Sequence, residues 1–123
     1  MSAPIYPTCL AEPAVVALLG ELDGSIRLWP FKLAPQFPEL PYATWQNVAG
    51  TPENNVSDRP DCDYWRLQVN VWGVTRKQVE QVTNAIRDAV EGVSYIVRWG
   101  NEDQDAQTKA FGYDFDVDWF TNR

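Results

Sequence analysis

Histidine is absent from this chain. That removes Ser-His-Asp and Cys-His nucleophilic arrangements and every zinc site that needs an imidazole. Cysteine occurs twice, at Cys9 and Cys62, with no CxxC pair. Two thiolates are too few for a four-cysteine zinc site, and burial as free thiols fits them better than a disulfide scaffold. Serine stands only at positions 2, 25, 57 and 94, none of them in a GxSxG elbow. The glycines form neither GxGxxG nor GxxxxGK(S/T), so there is no phosphate cradle and no cofactor is expected. No stretch approaches the roughly 20 apolar residues of a membrane-spanning helix. Residues 1–13 carry no Lys or Arg, unlike the start of a secretory signal. The expectation is a soluble, non-enzymatic protein made in a cytoplasm, with no membrane partner. Cationic side chains are scarce as well: 10 Lys and Arg against 17 Asp and Glu, a net charge of −7. Nonspecific nucleic-acid binding needs a phosphate-neutralising surface and is disfavoured. DNA can still pass such a surface without sticking.

What is present suits one globular domain spanning residues 1–123. Hydrophobic residues make up 45% of the chain and charged residues 22%, ordinary proportions for a folded domain. Surface scaling gives about 6,700 Å² folded against about 20,000 Å² unfolded, enough burial for a core without staples.

The patterning predicts an α+β fold. Residues 1–9 read as irregular because of Pro4 and Pro7. A short helix fits residues 10–20, with Leu10, Ala14, Val15, Leu18 and Leu19 on one face and Gly20 as its stop. Asp23-Gly24 is a turn signal, followed by a short strand at 26–29. Four prolines mark residues 30–41 as an irregular connection. A strand fits 42–49. Residues 50–62 read as a long loop, or alternatively a hairpin, and compact domains seldom keep such a loop without a use. In the strand at 64–74, Trp65, Leu67, Val69 and Val71 share one face, with Tyr64 and Trp72 on the polar one. Thr75 and Gln78 form a capping-box pattern that opens a helix at about 75–91. Its buried stripe is Val79, Val82, Ile86, Ala89 and Val90, and Gly92 marks the stop. A strand at 93–99 places Val93, Tyr95, Val97 and Trp99 on one face, and 100–109 form a polar turn. The last strand places Phe111, Tyr113, Phe115, Val117 and Trp119 on one face and Asp114, Asp116 and Asp118 on the other. One apolar and one polar face per strand argues for a small, mainly antiparallel sheet, with the long helix packed on its apolar side.

The three alternate aspartates are the sharpest chemical feature. Their spacing of about 6.8 Å along a strand does not converge as calcium ligands must, and nothing marks one as a glycosidase acid. They read as a solvated face or as an electrostatic surface.

The chain also resembles a family. The resemblance is carried by Ala17-Leu18-Leu19-Gly20, Arg27-Leu28-Trp29-Pro30-Phe31 and Ala34-Pro35-Gln36. It continues through Leu40-Pro41-Tyr42-Ala43-Thr44-Trp45-Gln46, Gly50-Thr51-Pro52-Glu53-Asn54 and Asp58-Arg59-Pro60-Asp61. Gln68-Val69-Asn70-Val71-Trp72, Ala85-Ile86-Arg87-Asp88-Ala89 and Phe115-Asp116-Val117-Asp118-Trp119 complete it. In this order and spacing the pieces resemble the tail completion, or tail terminator, proteins of long-tailed bacteriophages. The resemblance implies a structural virion protein, assembled in the host cytoplasm. It implies a homo-hexameric ring that caps the tail tube, stops its polymerisation and joins tail to head, with tail-tube and head–tail connector (neck) proteins as partners. DNA enters only as the passing genome. On that reading Asp114, Asp116 and Asp118 are candidates for an acidic lumen. Glu53, Asn54, Asn55, Asp58 and Arg59 are candidates for a tube or neck contact loop, and Tyr42, Trp45 and Trp72 for the subunit interface. Another neck or connector protein, or a non-phage protein-binding module, is the alternative.

Overall fold

The computed structural model describes residues 3–36, 38–53 and 62–122. The elements run in the order α1 (Ile5–Leu10), α2 (Pro13–Leu19), β1 (Leu28–Pro30), β2 (Tyr42–Glu53), β3 (Cys62–Gly73), α3 (Arg76–Val90), β4 (Ser94–Gln104) and β5 (Phe111–Asn122). The five strands form one sheet ordered β1-β2-β3-β5-β4. β1 runs parallel to β2, and every other pairing is antiparallel. The fold is α+β, as the patterning predicts.

The inner face of the sheet carries Ala43 from β2, Leu67, Val69 and Val71 from β3, and Phe115, Val117 and Trp119 from β5, all buried. Ile5 and Cys9 of α1, Val15 and Leu19 of α2, and Val79, Val82, Ile86 and Val90 of α3 meet them in one core. Burial pushes the Cys9 thiol up to about 12, so this cysteine is an inert apolar filler.

The N-terminal segment departs from the expected single helix at 10–20. Two helices form, and the break falls at Ala11-Glu12. Pro13 is the first residue of α2, where its missing N–H costs nothing; further inside, its ring would clash with the carbonyl four residues back. Residues 5–9 are helical rather than irregular, since Pro4 is the N-cap of α1 and Pro7 falls in the first turn, whose amides have no helical partner anyway. Gly20 ends α2 with extended backbone, φ −69°, and not as a left-handed cap; a side chain there would run into the Val16 carbonyl.

Arg27 ties this segment to the sheet. The residue is buried, its Nη2 donates to the Leu18 carbonyl at 3.1 Å and its Nη1 to the Gly20 carbonyl at 3.3 Å. Its Nε donates to the Pro41 carbonyl at 2.8 Å, just before β2. Glu21 balances the charge at 3.2 Å. One guanidinium thus satisfies carbonyls that the end of α2 leaves open and fixes where β2 begins.

The strands are longer than their patterns. β2 and β3 stay paired out to Glu53↔Cys62, so residues 50–53 and 62 belong to paired strands, as the hairpin alternative for residues 50–62 expects. Residues 54–61 lie outside the described residues. β4 does not keep Val93, Tyr95, Val97 and Trp99 on one face. Register shifts between Ile96 and Arg98 and between Trp99 and Glu102 each insert one residue, and each inverts the alternation. Tyr95 and Arg98 therefore stand opposite Asp118 and Asp116, on the outer side, whereas Trp99 stands opposite Phe115, on the helix side. The strand continues to Gln104, and only 105–110 remain as a turn.

Candidate functional site

The outer face of the sheet, opposite the helices, carries a polar band across three strands. Arg66 of β3 clamps Asp118 of β5 with two bonds, Nε to Oδ1 at 2.7 Å and Nη2 to Oδ2 at 3.0 Å. The Tyr64 hydroxyl adds a third, donated to Asp118 Oδ1 at 2.9 Å. Arg98 of β4 spans the other two aspartates: Nε donates to Asp116 at 2.9 Å and Nη2 to Asp114 at 2.9 Å. Asp114 also accepts from Gln68 Nε2 and from the Asn101 amide, each at 2.9 Å. Gly100 admits that carboxylate, since a side chain there would occupy its position.

This geometry changes the meaning of the acidic row. Three carboxylates meet two guanidiniums, so one net negative charge remains. The Arg66 hydrogen bonds hold the Asp118 carboxyl below the usual range, against burial that works the other way, with Tyr64 helping. For Asp114, burial is the largest influence and raises the pKa; Arg98, the Asn101 amide and Gln68 together outweigh it and hold the carboxyl low. Pairing of both guanidiniums raises their own pKa values further above the ordinary arginine range. The band is a charge-assisted lattice and not a bare negative stripe.

Aromatic side chains flank the band at both ends. Tyr42 and Trp72 are direct cross-strand partners, and the Trp29 ring lies 6.0 Å from that of Tyr42. Gly112 makes room beside them, because a Cβ there would lie 2.6 Å from the Trp72 ring. At the opposite end the Tyr64 and Phe120 rings lie 5.3 Å apart. Of the three residues expected at a subunit interface, Tyr42 and Trp72 therefore share this face. Trp45 does not. It stands opposite Val69 on the helix side, and its Nε1 is buried without a hydrogen-bond partner among the described residues. In the expected contact loop, Glu53 is the last residue of β2; Asn54, Asn55, Asp58 and Arg59 lie outside the described residues.

A second surface escaped the sequence reading. A groove of about 860 Å³ runs between α3 and the β4–β5 pair. Trp99, Phe111 and Tyr113 give it an apolar floor, with Trp99 stacked near Tyr113 at 6.2 Å. Its mouth is bridged by an ion pair from Arg76 to Glu102 at 2.7 Å. Thr83 of α3 is among its lining residues, with its hydroxyl buried and without a hydrogen-bond partner among the described residues. The groove exists because the second register shift brings Glu102 and Gln104 to the helix side, opposite Tyr113 and Phe111. Polar residues there cannot close the core over α3. The legible signal is the run Gly100-Asn101-Glu102-Asp103-Gln104, polar throughout and directly after an aromatic.

Among the described residues no group of three or more acidic or cysteine side chains is placed to hold a metal ion. Among the same residues no helix is long and apolar enough to cross a membrane.

Comparison with known proteins decides the family. The description "Tail completion protein gp17" matches residues 3–122. The chain belongs to that family. Its members are structural proteins of phage tails, and this chain is a virion tail component of that kind. A search of the curated proteins found no match. Among solved structures, a chain in the virion of a native gene transfer agent particle superposes with a TM-score of 0.70 at 11% identity, covering 97% of this chain and 92% of that one. Bacteriophage SPP1 gp17 superposes with a TM-score of 0.56 at 15% identity, covering 97% and 86%. At such identities the likeness is one of fold. The gp17-type fold here is thus a helical layer on a five-stranded sheet whose other face is open.

Proposed function

We propose that this tail completion protein closes the end of a phage tail tube as a ring of six copies. The ring stops tube polymerisation, forms the joint to the head–tail connector and lets the genome pass through its hole. The subunits are made in the host cytoplasm and end in the virion. The observation that carries this reading is the family match over nearly the whole chain. Composition supports it: six copies at −7 each carry −42, and such a wall repels phosphates instead of binding them. The outer face is the candidate wall. Its polar band retains one net negative charge per copy after Arg66 and Arg98 are counted, and a lattice of satisfied hydrogen bonds offers passing DNA few open donors. Tyr42 and Trp72 are candidates for subunit contact beside it. Glu53, Asn54, Asn55, Asp58 and Arg59 are candidates for contact with tube or neck.

One experiment tests these assignments together. Tail tubes are incubated with the wild-type chain and with a chain whose residues 53–58 are replaced by Gly and Ser, then imaged and weighed by light scattering. Six copies at tube ends with the wild type, and free rings or monomers with the variant, are the expected results. A wild-type chain that stays monomeric and ignores tubes removes the terminator reading. A variant that caps tubes as the wild type does removes the contact role of these residues alone.

A further inference from the structure

We propose that neighbouring copies of this chain join edge to edge, the 94–98 stretch of β4 in one copy pairing antiparallel with the 46–50 stretch of β2 in the next. This seam rests on the ring reading above, with the outer face of the sheet turned to the hole. Sheets whose outer faces line one hole stand side by side around it. The β4 edge of each copy then meets the β1–β2 edge of its neighbour. Two different edges make a head-to-tail contact, the kind that closes into rings. Pairing of β4 with β4 of a second copy would stop at a two-fold dimer.

Both edges are open where the seam needs them. β4 is paired on one side only, to β5. It carries neither proline nor lysine, residues that commonly blunt an edge. At the other edge β1 covers only Ala43, Thr44 and Trp45 of β2. From Gln46 onward no strand lies on that side of β2 among the described residues. Backbone groups that point outward from such stretches are a template for another strand.

Height and direction select this pairing. Across the sheet, Gln46 leads through Gln68 and Asp116 to Arg98, and Gly50 leads through Trp65 and Trp119 to Ser94. With the strands along the axis of the hole, rotation from copy to copy brings the two stretches side by side. Each holds one valine left out of the ladder, Val48 between Asn47 and Ala49 and Val97 between Ile96 and Arg98. Both are exposed, 46% and 44%, and they meet at the same height. β4 is antiparallel to β5, β5 to β3 and β3 to β2, so β4 runs antiparallel to β2 of the next copy, the more stable sense of pairing. Level with residues 43–45 the place beside β2 is taken by β1. The second register shift of β4, between Trp99 and Glu102, falls at that height, and a bulged strand bends there. The seam is thereby confined to the stretch that β1 leaves bare. Six copies of a five-stranded sheet, with strands about 4.8 Å apart, close a belt about 144 Å around and about 46 Å across, which admits a DNA duplex.

Disulfide trapping and amide exchange test the seam together. In a Cys62→Ser background, chains carrying Val48→Cys are mixed with chains carrying Val97→Cys and with tail tubes, under mild oxidation. Cys9 is buried and stays out of the reaction. The expected result is a mixed disulfide in about tenfold excess over either homodisulfide, because pairing raises the effective concentration of those two thiols. Rings are imaged in the same samples. In the wild type, amide exchange over residues 46–50 and 94–98 is expected to slow about tenfold or more when rings form on tubes, an effect that contact between side chains alone would not produce. Rings that lack either signal overturn the seam and leave the ring reading standing. Absence of rings from the wild type removes both.

Discussion

Arg66 and Asp118 meet across neighbouring strands with the two parallel bonds that a guanidinium and a carboxylate make best. The pair is partly exposed, 39% for the arginine side chain and 16% for the aspartate, so its worth is limited by solvent screening. Its signature is a pH dependence. The folded Asp118 pKa lies below that of an ordinary aspartate. A depressed carboxylate stabilises the fold fully above the unfolded pKa, and that contribution is lost as pH falls through the folded one. Asp114 is lowered too and acts with the same sign. Asp118→Asn is therefore expected to lower stability at pH 7 and to flatten the loss of stability below about pH 4. Urea midpoints measured from pH 7 to pH 2 check this. Parallel curves for the two proteins over the acid range would show that Asp118 contributes nothing through its charge.

α3 shows how far an element can be read before its structure is seen. Thr75 is its N-cap, and its Oγ1 accepts from the Gln78 amide at 3.1 Å. The Gln78 side chain reaches back as a capping box requires, but to the Val74 amide at 2.7 Å, one residue before the cap. Thr75→Ala is expected to cost about 1 kcal/mol, measured as a shift in urea midpoint with unchanged slope; no shift would mean water replaces the cap. The helix and β5 were legible because each has one unbroken period and a well-marked boundary. α1 was not, because proline was read as a breaker where the first turn tolerates it. β4 was half legible. Its second bulge holds Gly100, with the Asp114 carboxylate occupying the space beside it, a contact between strands that no local pattern encodes. The same bulges hid the groove and put Arg98 opposite Asp116, so the neutralised acidic row could not be foreseen from the alternation of β5 alone.

At the scale of the whole molecule, the sheet separates two tasks. Its inner face is spent on one core with three helices, and its outer face is left with a closed polar lattice between aromatic ends. In the proposed ring of six, whichever face lines the hole is repeated six times, so a small charge per copy becomes a large one. Changing Asp114, Asp116 and Asp118 together to Asn keeps the size of each side chain and leaves Arg66 and Arg98 with neutral acceptors. These five side chains then move from one net negative charge to two positive ones. Both guanidiniums are about two-fifths exposed, so water can replace the lost partners and the fold should survive at lower stability. If this face lines the hole, the triple variant assembles into complete particles whose infectivity falls, because the wall now holds the genome it should release. Its purified rings retard duplex DNA at low salt, with a log–log salt slope of about −0.9 per phosphate contacted, and wild-type rings do not. Particles of undiminished infectivity carrying the triple variant would place this face away from the DNA path and return the lumen to another surface.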